Sequence, residues 1–447
     1  MKKILIIAII CASSLTRAVS QTQAPSSLRD CLKIALERSH SVAKAELETE
    51  KAEQKIKETL SSGLPQIEGQ ASVINNLRVP VTMMPGELVG ASGVVPVAMG
   101  TKYTGEAYAQ ATQLLYSHDF WIGVKASKKA KELYKIQKAR TVEEVIYQIA
   151  GAYYKWLRFG DQADALKDNI EKMEKVIKAQ HGFTQQGLAH KLDENRLKVK
   201  LSNLNVSRNE LLTAEATQLN LIKLYMGLRT TESLNLQKEP MGAEGLVLQP
   251  LLDEPDFSKR PDIRLLKKQF ELKELEKQSI AAKYYPSLVA VGNLKTQAQR
   301  EEFNIFGDRK WFSSSFVGIQ LNIPIFDGMK KRAQSKQVKI EIEQLGHDLQ
   351  FAGQSANVEI QNAKRQLRDA YQNVLAQKEN LRLAEDVFTQ TEARYKAQVA
   401  SLTDLLNAEV TLRESQNSLY SQNLKLKEAG LDVLKAEGRL TTLVETP

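Results

Sequence analysis

Apolar and polar positions alternate along this chain with two different periods, and each period recurs. After Pro65, residues Ile67, Gly69, Ala71 and Val73 share one face of an extended segment while Gln66, Glu68, Gln70 and Ser72 share the other. That two-residue period belongs to a strand with one apolar and one wet side. Tyr103, Gly105, Ala107, Ala109 and Ala111 repeat it against Lys102, Thr104, Glu106, Gln110 and Thr112. Further on, Leu288, Ala290, Gly292 and Leu294 oppose Asn293, Lys295 and Gln297, and Val317, Ile319, Leu321 and Ile323 oppose Gln320 and Asn322. Val289, Val291 and Phe316 make this second wet face less clean. The pattern predicts strands over about 65–76, 102–113, 286–297 and 312–323, with Leu77 to Gly100 and Ala298 to Lys310 as loops.

The second period is helical. None of the twelve prolines falls in residues 97–239 or 325–446, and both windows are rich in Ala, Leu, Glu, Lys and Gln, the composition of long helices. Val338, Ile342, Leu345, Leu349, Ala352, Ala356, Ile360, Ala363, Leu367, Ala370, Val374, Gln377, Leu381 and Ala384 step by fours and threes. This is a coiled-coil seam with a stutter at Ala356 to Ile360. Leu133, Ile136, Ala139, Val142, Ile146, Ile149, Tyr153 and Trp156 form a similar seam. Helices are expected over about 120–186 and 328–398, each on the order of 100 Å at 1.5 Å per residue. Shorter partners over about 191–228 and 402–440 return antiparallel across turns near Gly187 and Val399.

These elements occur twice. A helix-like stretch ending in Gly63-Leu64-Pro65-Gln66-Ile67 returns 221 residues later, ending in Tyr284-Tyr285-Pro286-Ser287-Leu288. The expected organisation is a leader over 1–20, a first repeat over 21–231, a linker over 232–257 and a second repeat over 258–447. Pro65, Pro286 and Pro324 mark the helix–strand junctions.

Strands of about ten residues with one apolar face suit the wall of a transmembrane barrel; the soluble alternative is the edge of a sandwich. Four strands do not close a barrel, since the smallest closed ones have about eight, and open edges are not tolerated in lipid. Several copies must therefore share one barrel, two giving eight strands and three giving twelve.

Composition changes this picture little. Lys2 and Lys3, the apolar stretch Ile4 to Ala12 and the small-residue site Ala18-Val19-Ser20 read as a secretory leader. Without it the net charge falls from +9 to +6, as Lys2, Lys3 and Arg17 are lost, and Cys31 is the one remaining cysteine. A lone cysteine makes no disulfide framework, and Cys31 reads as a small apolar residue on a helix face. The basic excess is interleaved with Glu and Asp, so it marks a solvated helix surface and no nucleic-acid partner. Basic clusters at Lys128, Lys129 and Lys131 and at Lys330, Lys331 and Arg332 each follow a strand pair, placing them beside lipid headgroups or in ordinary solvent. His40, His118, His181, His190 and His347 have no metal-ligand spacing, and no phosphate-cradling or nucleophile-elbow motif is present. Neither an enzyme nor a cofactor is expected.

Together the segments resemble the TolC-type outer membrane efflux protein family. The residues that carry the resemblance are Leu28-Arg29-Asp30-Cys31-Leu32-Lys33-Ile34-Ala35-Leu36, Pro65 and Pro286, and Leu321-Asn322-Ile323-Pro324-Ile325-Phe326-Asp327-Gly328. Gln186-Gly187-Leu188 with Asp193, and Arg394-Tyr395 with Asp404 and Ala408, add to it. The resemblance implies an α+β membrane protein, a homotrimer with one twelve-stranded barrel in the outer membrane and a periplasmic α-helical tunnel. It also implies a periplasmic adaptor and an inner-membrane transporter of the RND, ABC or MFS class. Asp193, Asp404 and Asn407 would then line the periplasmic entrance, and Gly187, Leu188, Gln398 and Val399 the tip that meets the adaptor. Gln398 stands where the family usually has Gly, a departure that bears on the turn geometry; Ala400 stands where some members have Arg and Asn407 where some have a second Asp, which implies a less charged entrance. The competing reading is a soluble periplasmic coiled-coil adaptor or scaffold, which the long helices alone would permit.

Overall fold

The computed structural model describes residues 26–186, 190–239, 257–305, 307 and 310–445. The expected leader, and residues 240–256 of the expected linker, lie outside the described residues. In chain order the elements are α1 (Leu28–Arg38), α2 (His40–Ser61), β1 (Gln66–Asn75), β2 (Val81–Pro85), β3 (Val94–Ala98), β4 (Tyr103–Tyr116), α3 (His118–Gln185) and α4 (Lys191–Tyr225). There follow α5 (Pro261–Ala282), β5 (Ser287–Arg300), β6 (Phe312–Asn322), α6 (Lys330–Lys396), α7 (Leu402–Ala436) and the short α8 (Thr442–Glu445).

The chain forms two compact units, and neither coincides with a sequence repeat. One comprises Met1–Leu47, Ile136–Arg264 and Gln350–Pro447; the other comprises Glu48–Lys135 and Leu265–Leu349. Each draws on both repeats: α3 of the first packs with α7 of the second in the larger unit, and β4 of the first pairs with β5 of the second in the smaller.

The smaller unit carries an antiparallel sheet in the order β1-β4-β5-β6. Both of its α-to-β junctions have the same form. Gly63 and Leu64 donate to Leu60 and Ser61, and Tyr284 and Tyr285 donate to Ala281 and Ala282, so each helix tightens and stops before Pro65 or Pro286, whose ring disfavours helix in the residue before it. Pro324 lies just past β6, ahead of Gly328 and Met329, both of which have left-handed backbone. The Asp327 carboxylate then accepts from the Lys331 backbone N–H at 3.1 Å as α6 begins.

The structure adds to the sequence reading within Leu77 to Gly100, expected as a loop: it contains two short strands. β2 and β3 pair antiparallel within it, Val81 opposite Ala98 and Pro85 opposite Val94. A two-stranded ribbon has two edges, so Pro85 and Pro96 fit where a central strand would exclude them. β4 also runs past the expected end to Tyr116, through an irregularity between Leu114 and Tyr116. The basic clusters are partly committed inside this unit: Lys131 pairs with Glu53, Lys129 with Glu132 and Glu271, and Lys331 with Asp327. Lys268 of α5 is clamped between Glu132 of α3 at 2.9 Å and Glu271 at 2.8 Å.

The larger unit is helical, with three apolar clusters along it. In the first, Leu28, Cys31, Leu32 and Ala35 of α1 pack with Ile146, Ile149, Tyr153 and Leu157 of α3 and Leu431 of α7. Tyr153 is fully buried and its hydroxyl donates to the Gln237 carbonyl at 2.6 Å, so the ring gains burial without orphaning its polar end. Burial pushes the Cys31 thiol up to about 12, leaving it a core residue and no nucleophile. The α6 seam lies against α7 through Ile360, Ala363, Leu367, Ala370 and Val374. Every seam position from Val338 to Ala384 is buried or half-buried.

Candidate functional site

Two regions carry the features a conduit needs: the sheet in the smaller unit and the paired helix turns in the larger.

In the sheet, register decides which side chains share a face. Ile67 lies opposite Ala111, Gly69 opposite Ala109 and Ala71 opposite Ala107. Ala111 continues to Gly292 and Ala109 to Leu294, and Gly292 continues to Val317 and Ala290 to Ile319. The four apolar half-patterns thus fall on one side, and the rows from Ile67 to Ala71 make a face without ionisable groups; at its far end Tyr103 and the buried Arg300 lie on the same side. The exposure of this face in the single chain is extreme: Ile67 is 77%, Val317 91% and Ile319 70% exposed. Aromatic side chains border it. Tyr103 and Phe303 stack edge to face at 5.3 Å near one end, with Trp311 close by against Gly105. Near the other end Tyr116, Trp121, Tyr284 and Tyr285 are exposed. An apolar band between aromatic girdles is the outer surface of a membrane barrel. The girdles were not anticipated from sequence, although the pairs Phe120-Trp121 and Tyr284-Tyr285 at strand ends were a visible signal.

The opposite face is polar. Glu68, Gln110 and Asn293 form one row and Gln70, Tyr108 and Lys295 the next. Tyr108 donates its hydroxyl to Gln70 Oε1 at 2.6 Å, and Lys295 pairs with Glu106 at 2.8 Å. Edge strands β1 and β6 have no partner beyond them among the described residues.

At the helix turns, one cluster holds all four long helices together: Leu166, Ile170 and Met173 of α3, Leu197 of α4, Phe388 of α6 and Leu402, Leu405 and Ala408 of α7. Lys200 of α4 pairs with the buried Glu409 of α7 at 2.7 Å. The turn from α6 to α7 is a Schellman motif. Val399 N–H donates to Arg394 O at 2.8 Å and Gln398 N–H to Tyr395 O at 2.9 Å. Gln398 holds the left-handed position, φ 62°, so the turn forms in the absence of the usual glycine. Val399 projects from it, 68% exposed.

Asp404 is exposed and has a local task. Ser401 and Asp404 form a capping box: the Ser401 hydroxyl accepts from Asp404 N, and Asp404 Oδ2 accepts from Ser401 N at 3.0 Å and Oγ at 2.7 Å. These hydrogen bonds hold the Asp404 carboxyl below the usual aspartate range. The sequence Ser401-Leu402-Thr403-Asp404 carried that signal, as did Ser27-Leu28-Arg29-Asp30 at α1. Asn407 is exposed one turn on. Asp193 sits in the first turn of α4, half-buried, with Arg196 at 3.5 Å. Gly187 and Leu188 lie outside the described residues. Beside Asp193, Glu194 is the buried carboxylate, held by Lys198 at 2.5 Å and facing His181 at 3.3 Å. Asp193 also lies near enough to Tyr395 for its charge, after burial, to help push that phenol up, so the two turns share one electrostatic neighbourhood. Among the described residues no group of His, Cys, Asp and Glu has the arrangement of a metal site.

Residues 258–442 match the family model of the outer membrane efflux protein. The probable efflux pump outer membrane protein TtgC of Pseudomonas putida is 22% identical over 302 residues, 66% of this chain and 60% of that relative's length. In structure the chain resembles the outer membrane protein VceC of Vibrio cholerae, with TM-score 0.70 at 14% identity over 92% of this chain and 96% of that one. It resembles the CmeC outer membrane channel of Campylobacter jejuni equally widely, with TM-score 0.67 at 16% identity over 94% and 90%. The fold is therefore that of these outer membrane channels, with one four-stranded sheet and long paired helices in the chain. Residues 258–442 thus carry the sequence pattern of the outer membrane efflux protein family, and the chain shares the fold of those channels over nearly its whole length.

Proposed function

We propose that this protein is the outer membrane duct of a tripartite efflux or type I secretion system. Three copies enclose one twelve-stranded barrel in the outer membrane, and their helices form a periplasmic tunnel. Substrates delivered by an inner-membrane transporter of the RND, ABC or MFS class, through a periplasmic adaptor, leave passively. The observation that carries this reading is a four-stranded sheet with two edges unpaired among the described residues and one face whose rows from Ile67 to Ala71 are free of ionisable groups and exposed in the single chain. In water such a face is a liability, and in lipid its edges must be paired. Neighbouring copies pair them, and lipid covers the face. A soluble adaptor, the competing reading, gives this sheet no role.

Asp193, Asp404 and Asn407 form the entrance in this proposal. A ring of three Asp404 carboxylates would favour cations, while Asn407 supplies polarity without charge. Gln398 and Val399, with Gly187 and Leu188, meet the adaptor, and Val399 provides an apolar contact at the tip.

The test is the native mass and location of the protein extracted from fractionated envelopes in mild detergent. Trimers in the outer membrane fraction, with a fluorescent pump substrate accumulating in cells that lack the protein, support the duct. A soluble monomer or dimer in the periplasm overturns it.

A further inference from the structure

The polar face of the sheet bears three charged side chains within the four-stranded rows, and they are not equivalent. Glu106 and Lys295 neutralise each other across β4 and β5 at 2.8 Å. Glu68 on β1 is exposed and makes no ion pair among the described residues. Its row continues to Gln110 and Asn293, both neutral. Lys295 lies in the adjacent row and two strands away, roughly 10 Å across at 4.8 Å per strand before the offset along the strand is added.

β1 is an edge strand, so in a closed barrel a neighbouring copy's β6 lies beside it. β6 reads Phe312-Ser-Ser-Ser-Phe-Val-Gly-Ile-Gln-Leu-Asn322 and contains no ionisable side chain. The closing strand therefore brings no cation to Glu68 in any register. Within a copy the other pair cancels, so the four-stranded rows carry one uncompensated negative charge per chain on the inner face; Lys102, on the same face, precedes β4 and lies eight residues from Gln110, roughly 25 Å along the strand.

We propose that Glu68 is a selectivity residue inside the barrel: three Glu68 carboxylates form an acidic ring that favours cationic over anionic solutes, independently of the helix-turn entrance. The inference rests on the duct reading, which places the polar face inward. Two residues along β1 from Glu68, Gln70 points to the same face and is exposed.

The test places a thiol there. In trimers of Gln70→Cys inserted in membranes, the rates of modification by a cationic trimethylammonium-ethyl and an anionic sulfonatoethyl methanethiosulfonate are measured from the outside. The unsubstituted protein serves as blank, since Cys31 is buried. At a separation of about 7 Å in water, one carboxylate raises the cation-to-anion rate ratio roughly 2-fold at 0.15 M salt and roughly 5-fold at 0.01 M. Glu68→Gln in the same background is expected to lower the ratio by those factors, and raising the salt from 0.01 M to 0.15 M should lower the parent's ratio roughly 2.5-fold. An equal ratio with Glu68 and with Gln, unmoved by salt, overturns the acidic ring while leaving the duct intact. Salt dependence alone decides the matter if the double variant does not assemble. Inserted trimers in which neither reagent reaches position 70, from either side, overturn the inward-facing wall and the duct with it.

Discussion

The Tyr395 hydroxyl, in the last turn of α6, donates to Gln180 Oε1 at 2.6 Å in the last turns of α3. The two residues are 215 positions apart and belong to different repeats. Gln180 is 3% exposed, so the bond ties the ends of the two longest helices where water does not compete. Tyr395→Phe keeps the ring and leaves a buried amide oxygen without that donor, a cost of about 1–3 kcal/mol. We expect faster hydrogen exchange in the last turns of α3 and α6 and a higher conductance of trimers in planar bilayers. Unchanged exchange would show that the bond does not hold the turns together.

Gln398 occupies the left-handed position of a Schellman turn, where a side chain costs roughly 1–2 kcal/mol relative to glycine. Gln398→Gly should stabilise the turn by up to about 1 kcal/mol, because glycine's greater unfolded-state entropy offsets part of the gain. Gln398→Val should weaken it, as a β-branched residue tolerates that region poorly. Protection of the Val399 amide, whose N–H closes the motif at 2.8 Å, measures both.

The capping box separates structure from charge at the turn. Ser401→Ala removes the cap and keeps the Asp404 carboxylate; Asp404→Asn removes the charge and keeps an acceptor for Ser401 N–H. The first should loosen the start of α7 without altering ion selectivity, and the second should reduce cation preference while α7 stays protected. Because the Asp404 pKa is lowered in the fold by Ser401, the cap's contribution is fully present above the ordinary value of 3.8. It is lost as pH falls through the lowered value. Exchange at the α7 N-terminus should therefore be flat from pH 7 to 5 once corrected for intrinsic rates, and rise only below the ordinary aspartate range.

Adjacent residues of β4 face opposite sides of the sheet. Ala109→Arg places a cation on the apolar face, at about 2–4 kcal/mol per copy near the bilayer midplane; Gln110→Arg places it on the polar face. Trimer yield in the outer membrane fraction should collapse for the first and persist for the second. Equal yields would contradict the assignment of faces.

Glu143 of α3 is pushed up to about 7 by burial and then by the nearby Asp262, against the opposing pull of Arg260 and Arg264. Arg260 is itself committed to Asp262 and to Glu359 at 2.8 Å. A raised carboxyl pKa stabilises the fold below the unfolded value of 4.5, and that contribution is lost as pH rises through about 7. Glu143→Gln should therefore be neutral or mildly destabilising at pH 5 and stabilising at pH 8. Thermal unfolding of the trimer at the two values reads the sign, and a mutant effect independent of pH would contradict it.

Much of the architecture was legible because it rests on periodicity. The β1 face of Ile67, Gly69, Ala71 and Val73 and the α6 seam from Val338 to Ala384 are set by side-chain spacing, which a strand or helix expresses wherever it packs. The residues after Leu77 were read as a loop because their prolines and glycines outweighed the Val and Met alternation. Pairing β2 with β3 satisfies their backbone, and that partnership is not visible from either segment alone.

The sequence by itself determined the duplicated helix and strand pattern, the long seams, the apolar strand faces and the family resemblance, all of which depend on residues near one another in the chain. Tertiary structure alone decided the strand order β1-β4-β5-β6, the burial of Gln180 against Tyr395 and the isolation of Glu68 from Lys295. Each depends on which distant segments meet and in what register, and a one-residue slip would turn every side chain to the other face.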